Sequence, residues 1–219
     1  RRRHTRFRNV TGVQTCALPI CFIDENYNAN NFPQREQDIP AALVLLKKSG
    51  YSKSNPLVVE LTAPDDTGGL VSMITSFAAM AEKTDGVVKI NAKVIDGGTY
   101  WSAKGQYMNT AFFTTYWSPR AYLAQAAASM DVYPETKWPP AGSKFRELYV
   151  EATGTVKGAK RRAIVAKMQK EEWEKGTYII PYFKVFADAF TKKLNGVVER
   201  PSQLNLDYYG HGYKNFWLA

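Results

Sequence analysis

Histidine and cysteine are scarce, with two of each among 219 residues: His4, His211, Cys16 and Cys21. A metal site needs several convergent imidazole, thiolate or carboxylate ligands, so no metal or cofactor is expected. Long apolar runs are missing as well. The longest, Ala41 to Leu46, is far short of the roughly 20 residues of a bilayer-spanning helix, and no transmembrane helix is expected. The chain has no G-x-S-x-G, H-E-x-x-H, P-loop or G-x-G-x-x-G pattern, since Gly210 and Gly212 lack the third glycine. Asp and Glu residues are present, but separated carboxylates are not an acid/base pair without geometry. The expectation is a protein that is not an enzyme.

Acid is absent from residues 1–20, which carry Arg1, Arg2, Arg3, Arg6 and Arg8. The supposed apolar stretch of a secretory signal is broken here by Thr11, Gly12, Gln14 and Thr15, and no initiator Met precedes it. The segment resembles the translated sequencing-adapter read-through found at the ends of open reading frames in metagenomic assemblies, and it is set aside from fold reasoning, as an expression scar would be. Cys16 and the Asn9-Val10-Thr11 glycosylation match go with it. Cys21 is left without a pair, so cysteine says little of the redox compartment. The expectation is a C-terminal part of a longer protein, whose export signal would lie upstream.

What remains is ordinary in charge. Setting aside the five arginines, 24 basic residues face 20 acidic ones, +4 of the total +9. The one dense basic stretch, Lys157 to Lys170, is interleaved with Ile164, Val165 and Met168 and reads as the solvated face of a helix. No nucleic-acid partner is expected, for want of a basic stripe. With 45% hydrophobic and 13% aromatic residues the chain has enough apolar surface for a real core, which excludes global disorder.

Periodicity gives the elements. Asp38, Pro40 and Gly50 bracket a short helix through Leu43, Val44 and Leu46. Leu57–Leu61 reads as a buried strand, followed by a loop from Ala63 to Gly69. Leu70–Glu82 carries Leu70, Ile74 and Phe77 at helical spacing, and Val87–Ile95 alternates as a strand with one wet face. Strand, loop, helix and strand make a crossover unit in an α/β fold, a sheet covered by helices. Thr110–Trp117 reads as a further strand and Ala121–Met130 as an Ala-rich helix. Phe145–Thr153 and Lys157–Lys175 read as a helix pair, and Tyr178–Ala189 as a strand broken at Pro181.

Four stretches in this order carry a family resemblance. They are Ala41 to Tyr51 with the strand after it; Val94-Ile95-Asp96-Gly97-Gly98-Thr99-Tyr100-Trp101; Phe112 to Arg120; and Lys160-Arg161-Arg162 with Met168-Gln169 and Gly176 to Phe183. The chain from residue 22 resembles the C-terminal half of the family 5 extracytoplasmic solute-binding proteins, the peptide, nickel and opine receptors of ABC importers. The resemblance implies a truncated type II periplasmic-binding-protein fold, a mixed sheet flanked by helices. Residues 21–204 would form the second lobe and residues 205–219 a segment returning to a first lobe. The residues after about Asn205 would then lack a packing partner and leave an apolar edge exposed.

The resemblance places ligand contacts at Thr115, Tyr116 and Trp117. Trp has a broad apolar face and one donor, although large aromatics also pack in cores. In many peptide receptors an Asp just after this Trp accepts the ligand amino group. Here Ser118, Pro119 and Arg120 follow, which counts against recognition of a peptide through its amino terminus. Arg120 has instead a planar fork for a carboxylate or phosphate; its other role would be pairing with a neighbouring acid. Asp65 and Asp66 follow a strand end, where α/β layers border a ligand crevice, or they cap the next helix. Tyr182 and Phe183 follow the Pro181 break and serve as further contacts or as core.

The function implied is the substrate-binding component of an ABC importer. It captures an oligopeptide or another anionic or polar solute between two lobes for delivery to a membrane permease. It would act as a monomer when full length, in the periplasm or lipid-anchored at the outer face of the cytoplasmic membrane. The alternatives are a cell-envelope hydrolase acting on peptides or glycans, and a ligand-free sensing or chaperone role.

Overall fold

The computed structural model describes residues 32–33, 36–102, 107–117, 120–132, 135–182, 190–197 and 214–218. The chain divides into two compact units, one of Glu36–Ser118 and one of the residues on either side of it. The Arg-rich segment 1–20 and residues 205–213 lie outside the described residues.

In the first unit, Asp38 accepts the Ala41 N–H at 2.9 Å and opens α1, Ile39–Lys48. Pro40 fits the first turn, and the Asp38 carboxylate at the N-cap and Lys47 and Lys48 in the last turn suit the helix dipole. The helix is apolar in sequence yet buries no residue completely, and Val44 and Leu45 are exposed. β1 (Leu57–Pro64) leads through α2 (Leu70–Ala81) into β2 (Val88–Ile95). The strands are parallel, with Leu57 opposite Val88 and Pro64 opposite Ile95. The Thr84 hydroxyl donates to the Ala81 carbonyl at 2.6 Å and accepts the Val88 N–H at 2.9 Å, tying the end of the crossover to the start of β2.

Leu61, Ala63, Leu70 and Ile74 form this unit's core, with Phe77, Ile90, Trp101 and Phe112 packed against it. Fully burying a residue such as Ile74 contributes about 1.5–3 kcal/mol. The alternate side chains, Val58, Glu60, Lys89, Asn91 and Lys93, are exposed, and Glu60 meets Lys93 at 3.2 Å. After the one-turn helix α3 (Gly97–Tyr100) and a 3-10 turn at Tyr107–Asn109, Phe113 bridges Thr62 in parallel. The strand expected over Thr110–Trp117 is therefore a single bridge. Thr110 closes the 3-10 turn on the Tyr107 carbonyl, and the Tyr100 hydroxyl takes both main-chain groups of Thr114.

The second unit is mostly helical: α4 (Tyr122–Ala127), widening into a π-turn at Ala128–Val132, then α5 (Lys144–Thr153) and α6 (Gly158–Lys175). Tyr122, Met130, Phe145, Leu148, Ile164, Val165 and Met168 form its core. Lys157 just before α6 and Lys160, Arg162, Lys167 and Lys170 on it are exposed, so the basic stretch is a solvated helix face. Near the end of the chain, β3 (Leu194–Asn195) pairs antiparallel with β4 (Trp217–Leu218), whose side chains are exposed. Residues 183–189 of the expected broken strand lie outside the described residues.

Candidate functional site

Because β1 and β2 are parallel, both end on the same side of the sheet, where open α/β layers place ligands. Pro64 and Ile95 are register partners, so Asp65-Asp66 and Asp96-Gly97 leave the sheet side by side. The Asp65 N–H donates to the Ile95 carbonyl at 3.0 Å, and its Oδ1 accepts the Gly97 N–H at 2.9 Å. Asp96 caps α3 by accepting the Thr99 N–H at 2.9 Å. Hydrogen bonds from the Thr99 backbone and hydroxyl hold its carboxyl below the ordinary range. Asp66 Oδ1 accepts from the Trp101 indole N–H at 3.3 Å and from the Thr67 hydroxyl at 3.0 Å.

Glycine at position 97 makes this gathering possible. A Cβ there would overlap the Asp66 carboxyl. The three carboxylates around Gly97 have no ion-pair partner among the described residues. Beside them stands an aromatic wall. Trp101 meets Tyr100, Tyr107 and Tyr116 edge to face, with ring centroids 4.8, 5.1 and 5.7 Å away. Tyr100 is wholly buried, whereas Tyr116 is 62% exposed.

The structure thus brings Asp66 and Tyr116 together on either side of Trp101, with Asp65 next to them. Thr115 and Trp117 flank Tyr116 and are partly buried. The capping role considered for Asp65 and Asp66 is not found: Gly69, with φ of 90°, stands at the N-cap of α2, and no side chain caps the helix. Its first turn is opened by a left-handed glycine instead, which frees both carboxylates to turn toward Gly97 and Trp101. Arg120 and Tyr182 belong to the second unit, Arg120 partly buried before α4 and Tyr182 exposed after Pro181. Phe183 lies outside the described residues. Trp101 was missed as a site residue. Its signal was the one-turn Gly97–Tyr100 helix after β2, which turns the next residue back over the strand ends.

No three His, Cys, Asp or Glu side chains converge as metal ligands among the described residues. No protein-family model and no curated protein matches the chain. Solved structures do. The Haemophilus influenzae protein OppA, in complex with the peptide RPPGFSPFR, matches with a TM-score of 0.56 at 15% identity, over 78% of this chain and 38% of that one. NikA of Staphylococcus aureus, in complex with Ni(L-His)2, matches with 0.54 at 18% identity, over 68% and 32%. The Escherichia coli murein tripeptide binding protein MppA matches with 0.53 at 16% identity, over 70% and 31%. The chain spans about a third of the length of the structures it matches. Its fold is that of part of a family 5 extracytoplasmic solute-binding protein, the family that the sequence resembles.

Proposed function

We propose that the chain is part of the substrate-binding component of an ABC importer, which holds an oligopeptide or another polar or anionic solute between two lobes and presents it to a membrane permease. The observation that carries this reading is the placement of Asp66, Trp101 and Tyr116 at the C-terminal ends of two parallel strands, in a fold whose solved relatives are binding proteins. Rings supply stacking surface and a few fixed polar groups supply orientation, so no bond in the ligand is broken. Thr115 and Trp117 extend the Tyr116 surface. Arg120 pairs with a carboxylate or phosphate of the ligand, and Tyr182 and Phe183 add aromatic contacts. The receptor works outside the cytoplasmic membrane, free or lipid-anchored, as a monomer. No helix among the described residues is long and apolar enough to cross a membrane.

The test is the sequence of the source DNA upstream of Cys21. An export signal and a first lobe in the same frame support the receptor. A frame that starts at Arg1 with neither overturns it. With the receptor in hand, recovery of chemically unchanged ligand separates binding from the hydrolase alternative.

A further inference from the structure

The helix α1 forms for reasons of its own: Asp38 caps its first turn, and the Ser49 and Gly50 N–H groups close its last on the Leu45 and Lys47 carbonyls. It meets the Glu82–Thr84 turn, and Gln37, just before it, accepts from Lys83 Nζ at 3.4 Å. Ile39, Ala42, Leu43 and Leu46 are half-buried. The same spacing repeats two positions further on, at Ala41, Val44, Leu45 and Lys48, about 200° around the helix. These are exposed, Val44 by 55% and Leu45 by 63%. A surface helix is ordinarily polar on the side away from its core. α1 is apolar on two opposite sides, and its charges are confined to its last two residues, Lys47 and Lys48.

Another copy of this chain fits the outer face poorly. Ala41, Val44 and Leu45 are three side chains, whereas a stable interface buries about 800 Å² on each partner, and two chains of net charge +9 repel one another. About two thirds of each matched structure lies outside the part that this chain matches. A receptor of that size brings the missing surface within the same molecule, where high effective concentration lets a small apolar stripe serve as one portion of a larger contact.

We propose that Ala41, Val44 and Leu45 of α1 form a docking face for an apolar segment in the part of the same receptor that lies outside this chain. The proposal rests on the binding-protein reading and adds to it a place where the two parts join. α1 meets the turn that leads into the start of β2, whereas Asp66, Trp101 and Tyr116 stand at the other ends of the strands, so this face serves assembly and not ligand capture.

The test compares the 219-residue chain with the full-length receptor recovered from the source DNA, each carrying Leu45→Cys. Both are labelled with a maleimide under reducing conditions, and the modification is located by mass spectrometry of the peptide containing position 45. In the 219-residue chain the thiol should react within severalfold of its rate in the urea-unfolded chain, and in the receptor about tenfold or more slowly. Leu45→Glu should leave the urea midpoint of the 219-residue chain in place and lower that of the receptor. Equal labelling in the two proteins, or an equal response to Leu45→Glu, overturns the proposal. Slow labelling in the 219-residue chain overturns it too, the occupant being a second copy where dilution quickens the reaction and a segment of this chain where it does not. Source DNA without a first lobe removes the importer reading, whereas a first lobe that leaves position 45 as reactive as before removes this assignment alone.

Discussion

The hydroxyl of Tyr100 donates to the backbone oxygen of Thr114 at 2.6 Å and accepts the N–H of the same residue at 3.1 Å. The Thr114 N–H also donates to the Thr62 carbonyl at 3.0 Å, so the buried hydroxyl adds to a strand-type bond and takes the carbonyl on the other side of the residue. It also sets the path of the chain two residues before Tyr116. Tyr100→Phe removes both bonds in a dry environment and should cost about 1–3 kcal/mol. Urea unfolding measures the loss; the Thr114 N–H keeps its bond to the Thr62 carbonyl.

A methyl group at position 97 has no room beside Asp66. Gly97→Ala should destabilise the chain by about 1–3 kcal/mol and shift the Trp101 indole resonance as the carboxylate moves away. The same substitution in an Asp66→Ala background should cost much less. Equal costs in the two backgrounds would mean that the clash lies elsewhere.

Thr84 ties the end of the crossover to the next strand through two hydrogen bonds. Thr84→Val keeps the shape and removes the hydroxyl, leaving the Val88 N–H short of a partner. A loss of about 1–2 kcal/mol is expected, read from the midpoint of thermal or urea unfolding. A loss within experimental scatter would show that water replaces the hydroxyl.

In the second unit the Tyr122 hydroxyl donates to Glu172 Oε2 at 3.0 Å, and burial pushes the Glu172 carboxyl up to about 7 from its ordinary 4.5. Between those values the folded chain keeps a proton that the unfolded chain has lost. Stability from this group is therefore fully present below about pH 4.5, falls as pH rises toward 7, and is level above that. Glu172→Gln should flatten this part of the profile, gaining relative to the parent as pH rises. Urea midpoints of the two proteins at about pH 5 and about pH 8 decide it, and a constant difference would clear Glu172 of the effect.

Elements marked by both a period and a stop signal were legible in the sequence. The helix at Ile39–Lys48 has Asp38, Pro40 and Gly50 around it, and Leu70–Ala81 has its stripe of Leu70, Ile74 and Phe77. Val88–Ile95 alternates apolar and polar residues as far as Val94, although Ala92 and Val94 are exposed and the burial alternates only over Val88–Asn91. The failures came where a distant side chain decided the backbone. The apolar, Thr-rich run Thr110–Trp117 has the composition of a strand, but among the described residues only the Phe112 carbonyl and the Thr114 N–H bond to the Thr62 backbone, while the Thr110 N–H closes the Tyr107–Asn109 turn and the Thr114 carbonyl accepts from the Tyr100 hydroxyl. Within the site, Asp66 and Tyr116 were visible as a strand-end acid and an aromatic. That Trp101 joins them depends on a one-turn helix and on an absent Cβ at Gly97, and neither alters hydrophobic periodicity.

The parallel pairing of Leu57 with Val88 also dictates an order of events during synthesis. A hairpin closes as soon as its turn is made, but β1 must wait until the whole of α2 and the Thr84 turn have been formed before its first bond to β2 exists. Through that interval the segment Leu57-Val58-Val59-Glu60-Leu61 is an unpaired apolar strand, and Glu60 is the one charge within it. The side chain that later pairs with Lys93 thus serves first as a gatekeeper against premature association, a service rendered before the fold that contains it is complete.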